Sequence, residues 1–90
     1  MGRTFFPELS ESIPASHPHP PKTFYKVSVG LEAWGNKYTS VVKVQMVYDG
    51  QVSGRKSPSY PLDSDDVKRV ADVAKKLHER HSKKYNKSWK

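Results

Sequence analysis

The chain of 90 residues contains no cysteine. That excludes a disulfide framework and thiolate chemistry, and it leaves zinc only histidines and carboxylates as ligands. No apolar run approaches the roughly 20 residues needed to cross a bilayer. The opening Met1-Gly2-Arg3-Thr4-Phe5-Phe6-Pro7 lacks the apolar core of a signal peptide. Phe6 also stands where myristoylation wants Ser or Thr. A cytoplasmic location with no membrane association is therefore expected. Acidic residues are scarce as well: 9 Asp and Glu stand against 16 Lys and Arg, for a net charge of +7.

This length allows one small domain. The charge within it is segregated. Asp63, Asp65, Asp66 and Asp72 form an acidic stretch, whereas residues 75–90 hold seven Lys and Arg against Glu79 alone. Five of the seven prolines fall between Met1 and Pro21. The run His17-Pro18-His19-Pro20-Pro21 has to be extended, because a residue before proline is pushed out of the α region. Residues 1–22 therefore read as a disordered Pro-rich tail. Its only apolar points are Phe5, Phe6, Leu9 and Ile13, and Phe6, Leu9 and Ile13 have a loose helical spacing.

From Thr23 onward the pattern becomes strict alternation. Tyr25, Val27, Val29, Leu31 and Ala33 point one way, and Lys26, Ser28, Gly30 and Glu32 the other, as in a half-buried strand. Gly35-Asn36 is a two-residue hairpin signal suited to a type II′ turn. Tyr38, Val42, Val44, Met46 and Tyr48 then alternate again. A turn at 35 and 36 sets Tyr25 opposite Met46, Val27 opposite Val44, Val29 opposite Val42 and Ala33 opposite Tyr38. All of these are apolar matches on one face, and a slip of one residue would destroy them. Asp49-Gly50 signals a second turn into a short polar edge strand over about residues 51–56. Pro58 and Pro61 forbid its continuation.

A helix follows. Asp63 is the expected N-cap, with Leu62 and Val67 as its hydrophobic staple. Val67, Val70, Ala71, Ala74, Leu77, His78 and His81 form the expected apolar stripe, long enough to cover the hairpin's apolar face. The expected fold is α+β: a three-stranded antiparallel meander with its third strand short and at the edge, and one C-terminal amphipathic helix packed on one face. The order is β-β-β-α over residues 23–84, with residues 85–90 a frayed basic tail.

Chemistry-bearing patterns are few. His78-Glu79-Arg80-His81 places two imidazoles three apart on a helix, but the zinc motif needs them four apart, and no third ligand is evident. Ser53-Gly54-Arg55-Lys56-Ser57 resembles half of an anion nest, yet it does not open onto a helix as a phosphate loop must. The acidic residues cap the helix or lie exposed, and the serines sit in loops and the tail. No nucleophile with an orienting base is legible. A non-enzymatic binding module without cofactor or metal is expected.

Two partners fit such a module. The first is nucleic acid, bound with low sequence specificity by Arg55, Lys56, Lys75, Lys76, Arg80, Lys83, Lys84, Lys87 and Lys90, with Lys26 and Lys43 on the outer sheet face. Tyr85 and Trp89 interleave with the last lysines as bases would require for stacking. The second is a protein, an acidic one or a second copy in a weak homodimer, docking on the outer sheet face through Phe24, Trp34, Val41, Val47 and Val52. The order of three strands and a helix, with Pro20-Pro21-Lys22-Thr23-Phe24-Tyr25-Lys26-Val27-Ser28-Val29 as the first strand, resembles the second part of a double-stranded RNA-binding domain. That family has a helix where this chain has prolines, and a lysine cluster where this chain has Asp63-Ser64-Asp65-Asp66. The residues do not place the chain within it.

Overall fold

A computed structural model describes residues 4–85, the last two by backbone alone. The hairpin is its centre. β2 (Thr23–Trp34) and β3 (Lys37–Tyr48) pair antiparallel with Tyr25 opposite Met46, Val27 opposite Val44 and Val29 opposite Val42, the expected register. Gly35, at φ 67°, opens the connecting turn. Asp49 and Gly50 both have positive φ, 51° and 83°, as a type I′ turn demands, and lead into β4 (Gln51–Ser53). β4 stops earlier than expected because the chain bends from Gly54, where the Lys56 N–H donates to Ser53 Oγ at 3.2 Å.

The structure revises the reading of the N-terminal stretch. Phe5–Pro14, expected within a disordered tail, forms β1 and pairs antiparallel with β2, giving a four-stranded sheet in the order β1-β2-β3-β4. The prolines are tolerated for a positional reason. The Ala33 N–H donates to the Thr4 carbonyl and the Ala15 N–H to the Thr23 carbonyl, so odd-numbered residues of β2 bond β1 and even-numbered ones bond β3. Pro7 and Pro14 stand opposite the even-numbered Gly30 and Phe24. Their ring nitrogens therefore point off the sheet edge, where no N–H is needed. The register shifts between Pro7 and Leu9, leaving Glu8 as a bulge.

One α-helix, α1 (Asp66–Tyr85), closes the fold, so the protein is α+β with its helix C-terminal to an antiparallel sheet. It begins later than the expected Asp63 cap. Ser64 turns back first, donating from its N–H and its hydroxyl to the Pro61 carbonyl at 3.2 and 2.7 Å. The staple is absent: Leu62 is fully exposed and Val67 is 57% exposed. The buried stripe is Asp66, Val70, Leu77 and His81, with Val73 and Ala74 partly covered, while Ala71 and His78 face solvent.

The helix packs on β1 and β2. The core is accordingly Ile13, Tyr25, Val27, Val29, Met46, Val70 and Leu77. The helix does not cover the whole hairpin as expected. On β3, Val44 is only partly buried and Val42 remains 44% exposed.

Candidate functional site

The one fully buried carboxylate among the described residues joins three segments. Asp66, at the start of α1, has no solvent exposure. It accepts hydrogen bonds from the Ser16 N–H at 2.9 Å, the Ser16 hydroxyl at 2.5 Å, the Tyr25 hydroxyl at 2.6 Å and Arg69 Nη2 at 2.6 Å. Arg69 also donates to the Pro14 carbonyl and to Asp65. The Ser59 carbonyl lies 3.0 Å from the Tyr25 hydroxyl and 2.8 Å from His19 Nε2. Tyr60 and His19 pack their rings against Tyr25.

Burial alone would raise the Asp66 carboxyl, but the donors from Ser16, Tyr25 and Arg69 outweigh it and hold the group well below the usual carboxylate range. Burial, and then the bond to Asp66, push the Tyr25 phenol up. With both carboxylate oxygens engaged and enclosed, this cluster is a clasp between the β1–β2 connection, β2 and the helix start. A sequence signal for it existed: Asp66 continues the Val70, Val73, Leu77, His81 stripe back by one turn.

The outer sheet face, away from α1, carries Phe24, Lys26, Val41, Lys43, Gln45 and Val47. Of the residues expected to form an apolar docking patch, Phe24, Val47 and Val52 do line up, opposite one another across β2, β3 and β4 and continued by Pro14 on β1. Val41 is separated from that row by Lys43 and Gln45. Trp34 is 60% exposed at the hairpin tip, its Nε1–H donating to Glu32 at 2.8 Å. The five do not form one patch. Glu32 is also bonded to Lys43, and Lys43 followed by Trp34 lowers its carboxyl.

The basic residues divide between two places. Lys75, Lys76, Arg80 and Lys83 are exposed along α1, and Lys76 bridges to Glu11 of β1 at 2.8 Å. Arg55 and Lys56 lie elsewhere. They line a notch of about 220 Å³ with Lys43, Gln45, Ser53 and Ser57, where β4 ends beside β3. Of the frayed tail expected over 85–90, Tyr85 belongs to α1 by its backbone, while 86–90, with Lys87, Trp89 and Lys90, and the side chains of Lys84 and Tyr85 lie outside the described residues. His81 is buried with Nε2 2.9 Å from Glu8, and His78 is exposed. Among the described residues no group of three or more His, Asp or Glu could hold a metal ion.

One feature was not visible in the sequence. β4 pairs only with Met46–Tyr48, so the preceding length of β3 has no strand on its outer side among the described residues. Its even-numbered residues, Tyr38, Ser40, Val42 and Val44, direct their backbone N–H and C=O groups off that edge, by the same parity that ties odd-numbered residues to β2. Alongside, between β3 and the end of α1, lies a cavity of about 170 Å³ lined by Val29, Ser40, Val42, His78, His81 and Ser82. The notch of Lys43, Arg55 and Lys56 is the next depression along the same strand. Compared with protein-family models, curated proteins and solved structures, the chain matches none of them.

Proposed function

We propose that the protein is a small interaction module that takes an extended segment of a partner as an added strand on β3. The contrast between the two sheet edges carries this reading. The β1 edge is blunted by Pro7, Pro14 and the bulge at Glu8, the devices that keep an edge from pairing. Over Tyr38–Val44 the β3 edge has no proline and no bulge, and its residues are mostly β-branched. Backbone bonds to such an edge supply affinity, and pockets for alternate side chains supply selectivity.

The test is selection of linear peptides from a randomised display library on the full chain. Selected peptides should alternate apolar and polar residues. N-methylation at every second residue should abolish binding in one phase and spare it in the other. Ser40→Pro removes an off-edge N–H without touching the β2 ladder and should abolish binding, with an unchanged circular-dichroism melt. Ser12→Pro, the same change on the β1 edge, should not. Binding that ignores both the methylation phase and Ser40→Pro would refute strand addition.

A second reading, low-specificity nucleic-acid binding, is favoured by one observation: Lys75, Arg80 and Lys83 are exposed on α1 without an acidic partner among the described residues. It predicts dissociation constants of about 10⁻⁴–10⁻⁶ M at physiological salt. Affinity should fall steeply with salt, and changing Lys75, Lys76, Lys83 and Lys84 together to Gln should remove most of it. An anisotropy titration of duplex and single-stranded oligonucleotides decides the matter, and no binding at low salt ends this reading.

A further inference from the structure

Resting on the strand-addition reading, we infer that the segment taken by β3 is acidic, and that Arg55 and Lys56 hold its carboxylates. Three observations converge. The open edge is flanked by two depressions of different character: the 170 Å³ cavity beside α1, with Val29 and Val42 in its wall, and the 220 Å³ notch carrying Arg55 and Lys56 beside the Glu32-paired Lys43. Both lie along one strand, so one extended chain reaches both. Arg55 and Lys56 have no acidic partner among the described residues, and both are exposed. Of the acidic residues nearest in sequence, Asp49 is set against Lys22, Asp65 and Asp66 against Arg69, and Asp72 against Lys68.

The geometry also fixes where the acid falls in the segment. Every neighbouring pair of strands in this sheet is antiparallel, and an added strand that follows suit runs opposite to β3. A residue set opposite Val42 points to the helix side, toward the cavity, where Val29 and Val42 give an aliphatic side chain apolar contact beside Ser40, His78 and His81. Successive residues alternate faces. The residues opposite Lys43 and Gln45 therefore precede that anchor by one and three positions and point to the outer side. An Asp or Glu there enters the notch toward Arg55 and Lys56, beside Lys43, which Glu32 already engages. A charged hydrogen bond from Arg to carboxylate is among the stronger polar contacts available at a surface.

The same peptide selection, run on the wild type and on Arg55→Glu/Lys56→Glu, tests this. Both substitutions are in an exposed loop and leave the sheet intact, which a circular-dichroism melt verifies. Wild type should select Asp or Glu one or three positions before an aliphatic residue, and the charge-reversed variant should select Lys or Arg there. In a synthetic peptide, exchanging that acid for its amide should weaken binding about tenfold or more. If no alternating peptide is selected at all, strand addition itself fails. If alternating peptides are selected without an acidic preference, or the variant selects the same set, only the acidic assignment falls. An oligonucleotide that binds the wild type, displaces the peptide and loses affinity in the charge-reversed variant would make the notch a phosphate site and overturn the inference. So would concentration-dependent dimerisation removed by Ser40→Pro, which would give the edge to a second copy.

Discussion

Asp66→Ala is expected to destabilise the protein by about 3–5 kcal/mol, the cost of breaking a buried charged pair from one side. The substitution takes the acceptor from the Ser16 N–H and hydroxyl, and leaves the buried Tyr25 hydroxyl only the Ser59 carbonyl, and Arg69 its bonds to Asp65 and the Pro14 carbonyl. Each buried donor left unmade costs about 1–3 kcal/mol. A domain of this size has a total stability near the low end of about 5–15 kcal/mol, so most of its margin goes.

The pH dependence follows from the depressed carboxyl. Its folded pKa lies below the roughly 3.9 of an unfolded aspartate. The carboxylate's contribution is therefore complete above about pH 4, and it is lost as the pH falls from there toward the folded value. Urea titrations followed by circular dichroism should show Asp66→Asn much less stable than wild type at pH 7. The gap should narrow as the pH drops below 4. Equal midpoints at pH 7, or a gap independent of pH, would show that the clasp contributes little.

Gly30→Ala should be nearly as damaging, at about 3 kcal/mol, the upper end for overpacking. A methyl carbon at Gly30 would sit 2.2 Å from the Phe6 carbonyl oxygen and 2.7 Å from Pro7 Cα. These are backbone atoms and cannot swing aside. The start of β1 must lift off, which takes Glu8 away from His81 and uncovers the neighbouring face of β2. Hydrogen exchange should show Leu31 and Ala33 losing protection while Lys43 and Val47, whose N–H groups bond β2, keep theirs. Unchanged protection at Leu31 and Ala33 would mean that β1 does not approach β2 as described.

The hairpin was legible because two independent signals agreed. Gly35-Asn36 sets a register, and the alternation on both sides matches Val27 with Val44 and Val29 with Val42 in that register. β1 was hidden by its own bulge. With Glu8 inserted, the residues facing the helix are Phe6, Leu9, Glu11 and Ile13, and the apolar three among them, at 6, 9 and 13, have a spacing that mimics a helix. Glu11 in that set reads as a break in the pattern until Lys76 is seen to pair with it. Prolines 7 and 14 argued against a strand because the sequence does not say which residues will face off an edge.

The helix start was misplaced by the acidic run, where Asp63, Asp65 and Asp66 compete for the cap. Only the tertiary partners Ser16 and Tyr25 decide which carboxylate turns inward. The open edge of β3 depended on how far β4 extends, and local composition sets that poorly. The cations of the notch come from β3 and the 54–57 bend, which only the second turn brings together.

The clasp also imposes an order on folding. β2 and β3 meet across a two-residue turn, so their contacts close cheaply and early. Asp66 reaches Tyr25 across 41 positions and Ser16 across 50, and His81 reaches Glu8 across 73. Contacts so distant along the chain are repaid only once the hairpin exists as a platform. β1 and α1 touch each other as well as β2, so neither gains its full set of partners until both have docked. The two flanking elements thus form one late cooperative unit around an early core, the last to close and the first to open.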